Sequence, residues 1–141
     1  MRVLITGITG MAGSHLAEYL LDHVPGVEIH GSVRWRSRTE NLAAFRDRVR
    51  LVECDIRDAA SVERLVAESQ PDYTFHLAAQ SSVTASWHAP VETLMTNING
   101  QVNLLEVLRR LRPDCRILIP GTSEEYGAGL GPRREDSPLL P

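Results

Sequence analysis

The sequence predicts an α/β fold, a doubly wound parallel sheet with helices on both faces. Three observations carry that expectation. Short apolar runs alternate with amphipathic helical segments from the first residues onward. The first apolar run passes directly into a glycine-rich turn that opens a helix. Repeated βα units of this kind need right-handed crossovers, and therefore parallel strands with ligands at their carboxyl ends.

The elements follow in order. Arg2–Thr6 is a short apolar run ending at Gly7, the signature of a buried parallel strand. Met11–His23 carries Leu16 with Leu20, and Ala17 with Leu21, at helical spacing, and Pro25-Gly26 ends it. Residues 27–33 form the second strand, 39–47 a short polar helix or turn, and 49–54 the third strand. Asp58 is placed to cap a helix running through Ser69, with Val62, Leu65 and Val66 facing inward and Pro71 breaking it. Residues 73–77 form the fourth strand. Residues 90–111 read as one long helix with Leu94, Ile98, Leu104, Leu105 and Leu108 on its inner side, and 116–119 as the fifth strand. Beyond Gly121 the periodicity dissolves. Residues 1–126 are expected to form one domain, and 127–141, rich in Gly and Pro, a loop.

Composition narrows the functional classes. The chain has 141 residues, the size of one domain, and 43% hydrophobic residues supply a core. A net charge of −3 argues against nucleic acid as a partner. All 15 basic residues are Arg, so chemistry that needs a lysine ammonium cannot be completed within these residues. Cys54 and Cys115 are far apart and, like the five His residues, lack metal-ligand spacing. Free thiols suit a reducing compartment. Met1 leads straight into a strand without a cleavable leader, and no apolar run reaches the length of a membrane span. A soluble, cytoplasmic protein without a membrane partner is expected.

Five strand ends carry chemistry. After the first, Gly7-Ile8-Thr9-Gly10-Met11-Ala12-Gly13 suits a dinucleotide pyrophosphate. Gly7 allows the tight turn, Gly10 lets the phosphates approach backbone, and Gly13 lets the helix pack on the strand. The helix N-terminus then offers N–H groups and partial positive charge. After the second, Arg34-Trp35-Arg36-Ser37-Arg38 stands where an NAD site places a carboxylate. Arg34, Arg36 and Ser37 suit a 2′-phosphate, which favours NADP; the alternative is a solvated basic loop. After the third, Asp55, followed by Ile56, is placed to accept from the adenine amino group, or to serve as a turn residue. After the fourth, Leu77, Ala78 and Ala79 let backbone lie against the cofactor, while Gln80, Ser81 and Ser82 suit a bound substrate. His76 reads as a satisfied core histidine. After the fifth, Thr122 suits a substrate hydroxyl and Glu124 a general base, although the run 121–127 also reads as a polar turn.

Together these segments resemble the extended short-chain dehydrogenase/reductase family, whose cofactor domain is the Rossmann fold. Within it they are most similar to the GDP-mannose 4,6-dehydratases and the related GDP-4-keto-6-deoxy-mannose reductases. The carrying residues are Ile5-Thr6-Gly7-Ile8-Thr9-Gly10, Val33-Arg34, Leu77-Ala78-Ala79-Gln80-Ser81 and Thr122-Ser123-Glu124-Glu125-Tyr126-Gly127. The resemblance implies an NADP-dependent lyase that converts GDP-mannose to GDP-4-keto-6-deoxy-mannose, a nucleotide-sugar partner, and a homo-oligomer in the full-length form. It implies that Thr122 bonds the sugar C4 hydroxyl and that Glu124 removes the C5 proton.

Glu125 stands where dehydratases carry a hydrophobic residue, which leans toward the reductase; Thr122 and the Arg-rich loop lean toward the dehydratase. An enzyme on another sugar nucleotide and a non-catalytic NADP-binding module stay open. The family's catalytic Tyr and Lys stand four residues apart on the next helix. Tyr126 is followed four residues on by Leu130, so it is not that Tyr. The expectation is therefore an N-terminal part of a larger fold, with the Tyr, the Lys and the substrate domain lying past Pro141.

Overall fold

The computed structural model describes residues 1–127 and 131–140; of the predicted loop 127–141, residues 128–130 and 141 lie outside the described residues. The core begins with β1 (Arg2–Thr6), whose residues from Val3 to Thr6 are buried. Alternation sends Val3 and Ile5 to one face of the sheet and Leu4 to the other. Both faces are covered, which is why the run is continuously apolar rather than alternating.

Helix α1 (Met11–His23) follows, then β2 (Glu28–Val33). The chain makes two 3₁₀ turns, Glu40–Leu42 and Arg46–Arg48, and enters β3 (Val49–Glu53). Ala17 of α1 packs with Leu42 and Phe45 of the turn region against Val3, Ile5 and Ile29. Helix α2 (Ala59–Ser69) crosses to the opposite face and the chain re-enters the sheet as β4 (Tyr73–His76). Asp58 caps α2, its side chain accepting from the Ala60 N–H at 3.1 Å. Val62, Leu65 and Val66 are fully buried as expected. Gln70, at φ 43°, closes the helix in the left-handed region immediately before Pro71.

The strand order is β3-β2-β1-β4-β5, with every pairing parallel. The order reverses between β1 and β4, and a cleft at the carboxyl ends of those two strands is where such a sheet takes a ligand.

Two parts of the helical reading change. A short helix α3 (Val83–His88), not expected from the sequence, precedes the long helix. The expected single helix over 90–111 is three pieces: α4 (Pro90–Leu94), a π-helical turn Met95–Asn99, and α5 (Gly100–Leu111). Gly100, Leu104, Val107 and Leu108 are buried against α2 and β1, but Leu94, Ile98 and Leu105 are exposed, at 56%, 60% and 37%. Those three do not belong to an inner side. The helix has two apolar faces, one buried and one exposed. Strand β5 (Arg116–Leu118) forms the sheet edge, and a 3₁₀ turn, Ser123–Tyr126, follows it. The described residues of 131–140 contain neither helix nor strand.

Candidate functional site

Gly7 sits at φ 71°, and a Cβ there would stand 2.9 Å from the Ala78 backbone nitrogen. Only glycine lets the β1–α1 turn lie this close to the loop after β4. A Cβ at Gly13 would stand 2.5 Å from the Gly7 carbonyl oxygen and 2.8 Å from Ile8 Cα, so the first turn of α1 rests directly on the loop. Gly10 differs: its Cβ position meets one atom, the Gly7 carbonyl oxygen at 3.3 Å, and the residue is exposed. It is the N-cap of α1 without a side chain to cap it, and no acidic residue lies in the first helical turn. The N-terminus of α1 is thus free to donate to an anion.

Surrounding residues fix this loop. Ser32 Oγ accepts from the Gly7 N–H at 3.2 Å. Asn41 Nδ2 donates to the Thr9 carbonyl at 2.9 Å, from a 3₁₀ turn that sequence reasoning left without a role. Thr6 Oγ1 accepts from the Ala78 N–H at 3.1 Å and shares a 2.8 Å hydrogen bond with His76 Nδ1. His76 is buried, and burial lowers its pKa. It is a core histidine that ties β1 to β4, as its place inside a strand indicates.

The cleft at the switch point measures about 630 Å³. It is lined by Gly7, Thr9, Gly10, Met11, Ala12 and Gly13 from the first loop, by Arg34 and Ser37 from the second, and by Asp55 and Ile56 from the third. Leu77, Ala78, Ala79, Gln80 and Ser81 line it from the fourth. Four separately predicted strand ends therefore meet in one groove. Arg36 lines an adjoining hollow with Trp35, Asp55, Arg57 and Arg64. The Arg-rich loop is a closed turn: Ser37 Oγ accepts from the Arg34 N–H at 2.8 Å, and the Ser37 N–H donates to the Arg34 carbonyl.

Two predicted groups stand elsewhere. Ser82 does not line the cleft; its hydroxyl caps α3, accepting from the Ala85 N–H at 3.3 Å. Thr122 and Glu124 are exposed and also lie outside the cleft wall. Thr122 Oγ1 accepts from the Glu124 N–H at 3.2 Å, so the run closes on itself as a polar turn. Gln80 Oε1 is engaged by the Ser82 N–H at 3.1 Å.

Sequence reasoning missed the residues that hold the loops. Asn97 bonds both backbone groups of Gln80, its Oδ1 accepting at 2.7 Å and its Nδ2 donating at 3.0 Å. Asn103 Nδ2 donates to the Ile56 carbonyl at 2.9 Å, and Asn99 Nδ2 to the Arg57 carbonyl at 3.2 Å. Three asparagines in one helix are the available signal, since Asn is a poor helix former that serves backbone groups nearby. Arg57 was missed as well. Its Nε and Nη2 bond both carboxylate oxygens of Asp55, the shortest at 2.6 Å, and this fork lowers the Asp55 pKa. Among the described residues no cluster of three or more metal-ligating side chains occurs, and no helix is long and apolar enough to cross a membrane.

The parallel sheet, the switch-point cleft and the glycine-lined turn define a Rossmann-like domain of the extended short-chain dehydrogenase/reductase class. The family model for GDP-mannose 4,6 dehydratase matches residues 4–141, and the chain belongs to that family. GDP-mannose 4,6-dehydratase of Vibrio cholerae is 36% identical over 152 residues, covering 98% of this chain and 40% of that protein. CDP-paratose 2-epimerase of Salmonella typhi is 33% identical, covering 90% of this chain and 38% of its own length. Among solved structures, Thermus thermophilus UDP-glucose 4-epimerase in complex with NAD superposes with a TM-score of 0.83 at 34% identity, over 100% of this chain and 45% of that one. The chain thus spans less than half the length of these relatives.

Proposed function

We propose that this chain is the NADP-binding part of a cytoplasmic nucleotide-sugar 4,6-dehydratase, a lyase that converts GDP-mannose to GDP-4-keto-6-deoxy-mannose. The observation that carries the reading is the cleft itself. An uncapped helix N-terminus and a glycine turn face the cleft that Arg34 and Ser37 also line, with no carboxylate in the loop directly after β2. The residues fit the cofactor. The α1 N–H groups would hold the pyrophosphate, and the Arg34 and Arg36 guanidiniums the 2′-phosphate, which the Ser37 hydroxyl proton is free to meet. Asp55 would take the adenine amino group, and Leu77, Ala78 and Ala79 would line the inner ribose. When bound, the nicotinamide accepts and returns the hydride.

Gln80 and Ser81 are assigned to the substrate. Ser82 acts through the helix it caps. Thr122 and Glu124 follow β5 at the same carboxyl edge of the sheet as the cleft. Thr122 would orient the C4 hydroxyl, and Glu124 would remove the C5 proton made acidic by a neighbouring carbonyl. The domain is assigned to 1–126 and the connection onward to 127–141. The free Cys54 and Cys115 suit the reducing cytoplasm. The exposed stripe Val91, Leu94, Ile98, Val102 and Leu105 supports a homo-oligomer, because an apolar stripe of this length is costly to leave in water.

Incubation of the full-length form with GDP-mannose and NADP tests the activity: a 4-keto-6-deoxy product by mass spectrometry is expected, and its absence overturns the dehydratase. A second reading, an NAD-dependent epimerase of another sugar nucleotide, draws support from the relatives named as epimerases. An epimer of a UDP- or CDP-sugar as the product would select it.

A further inference from the structure

The loop after β3 is held more firmly than a turn that merely reverses the chain. Asn103 and Asn99 fix the carbonyls of Ile56 and Arg57 from α5 and the π turn. Ser61 Oγ accepts from the Asp55 N–H at 3.3 Å. Arg57 then reaches back two residues. Its backbone N–H donates to Asp55 Oδ1 at 3.0 Å, its Nε lies 3.0 and 3.1 Å from the two carboxylate oxygens, and Nη2 lies 2.6 Å from Oδ2. Its remaining nitrogen, Nη1, stands 3.6 Å from Glu92 Oε1 on α4. Asp55, Arg57 and Glu92 all line the cleft.

From this geometry we infer that Arg57 is a positioning residue for base recognition: it locks the Asp55 carboxylate in one orientation, with its residual acceptor capacity directed at the exocyclic amino group of adenine. The inference rests on the dinucleotide reading above. A carboxylate has about four acceptor sites, and the fork and the backbone N–H occupy most of them. What remains is one directed acceptor rather than a freely rotating one. Such an acceptor welcomes the adenine amino group and repels the carbonyl oxygen that hypoxanthine carries at the same position. The planar fork is needed for this, because an ammonium supplies the charge without the two-point geometry. The Glu92 carboxylate holds the Arg57 guanidinium at a second point, and the Asn99 bond fixes the Arg57 backbone, so its placement does not depend on Asp55 alone.

The test is calorimetric titration with NADP and with its hypoxanthine counterpart. The wild type is expected to prefer NADP by at least about tenfold, the value of one directed hydrogen bond. Arg57→Ala is expected to bring that ratio close to one, and Arg57→Lys to fail to restore it. Asp55→Ala is expected to abolish the preference by itself, with Arg57→Ala adding nothing in that background. The pair is partly exposed, at 39% for each side chain, so the melting temperature should change by no more than a few degrees. A full adenine preference in Arg57→Ala, or its restoration by Arg57→Lys, overturns the inference. Tight binding of both dinucleotides by the wild type overturns it while leaving the cofactor reading intact. Absence of any dinucleotide binding overturns the cofactor reading and the inference with it.

Discussion

The turn after β1 and the turn after β5 stand at the same edge of the same sheet and are built differently. The first is held from outside itself: Ser32, Asn41 and the Ala78 backbone all press on it, and α1 rests on it through Gly13. The second is held mainly from within, by the Thr122 hydroxyl and short backbone bonds, and its two proposed reactive residues are exposed. On the proposed reading, the firmly held first turn belongs to the cofactor half of the site. Thr122 and Glu124, which that reading makes catalytic, are exposed and do not line the cleft.

Substitutions can break or sharpen this contrast. Gly13→Val is expected to act most strongly. Its Cβ has backbone at 2.5 Å with nothing able to yield, so folding and binding should fail together, with a loss of about 3 kcal/mol or more. A melting curve reads it directly. Gly10→Val should separate the two effects, because the nearest atom to its Cβ is 3.3 Å away. The Gly7 carbonyl need give by only a few tenths of an ångström, so the melting temperature should fall far less than in Gly13→Val, while NADP affinity falls by about a hundredfold, the loss of about 3 kcal/mol from the cradle. If both variants keep NADP affinity, the first turn is not a phosphate site.

Removing Arg34 and Arg36 together should weaken NADP by about tenfold to a hundredfold and NAD hardly at all, since charge-assisted bonds to the 2′-phosphate, screened by solvent at this surface, are worth about 1.5–3 kcal/mol together. Equal losses for both cofactors, measured by calorimetry, would assign that loop to the surface.

Stability should also depend on pH. His30 and His76 are buried with lowered pKa values, burial being the main cause, and among the described residues neither His30 ring nitrogen has a hydrogen-bond partner. The unfolded chain binds protons near pH 6.5 while the folded one resists them. Stability is therefore full above about pH 6.5 and falls below it, by no more than about 1.4 kcal/mol per pH unit for each ring. Urea titrations at pH 7.5 and 5.5 check this, and His30→Leu should flatten the slope. The smallest effect belongs to the other turn: Thr122→Ala removes a cap worth about 1 kcal/mol or less and should leave NADP affinity unchanged.

Much of the fold was legible because its signals are local and agree with one another. Apolar runs gave the five parallel strands to within a residue at each end, and Asp58 and Pro71 marked the ends of α2. The long helix was harder. Leu94, Ile98 and Leu105 are apolar at helical spacing, yet so are Leu104, Val107 and Leu108, and periodicity alone does not say which face meets the sheet. The site divides in the same way. Glycines report backbone geometry, which sequence context fixes, and so the cradle was readable. Ser82 reads in the sequence as a substrate residue, and its cap on α3 is visible only from the position of the Ala85 N–H. The three asparagines act on backbone 17 to 47 residues away, a distance that no local pattern records. Arg57 acts only two residues away, on Asp55, and was missed because a charged residue in a turn reads as solvated.

The most direct test is a calorimetric titration of the protein with NADP and NAD, run alongside Gly10→Val. One dinucleotide per chain, bound at least about tenfold more tightly as NADP and lost in the variant, is the expected result. No binding by the wild type, or binding that survives Gly10→Val unchanged, would contradict the assignment of the cleft.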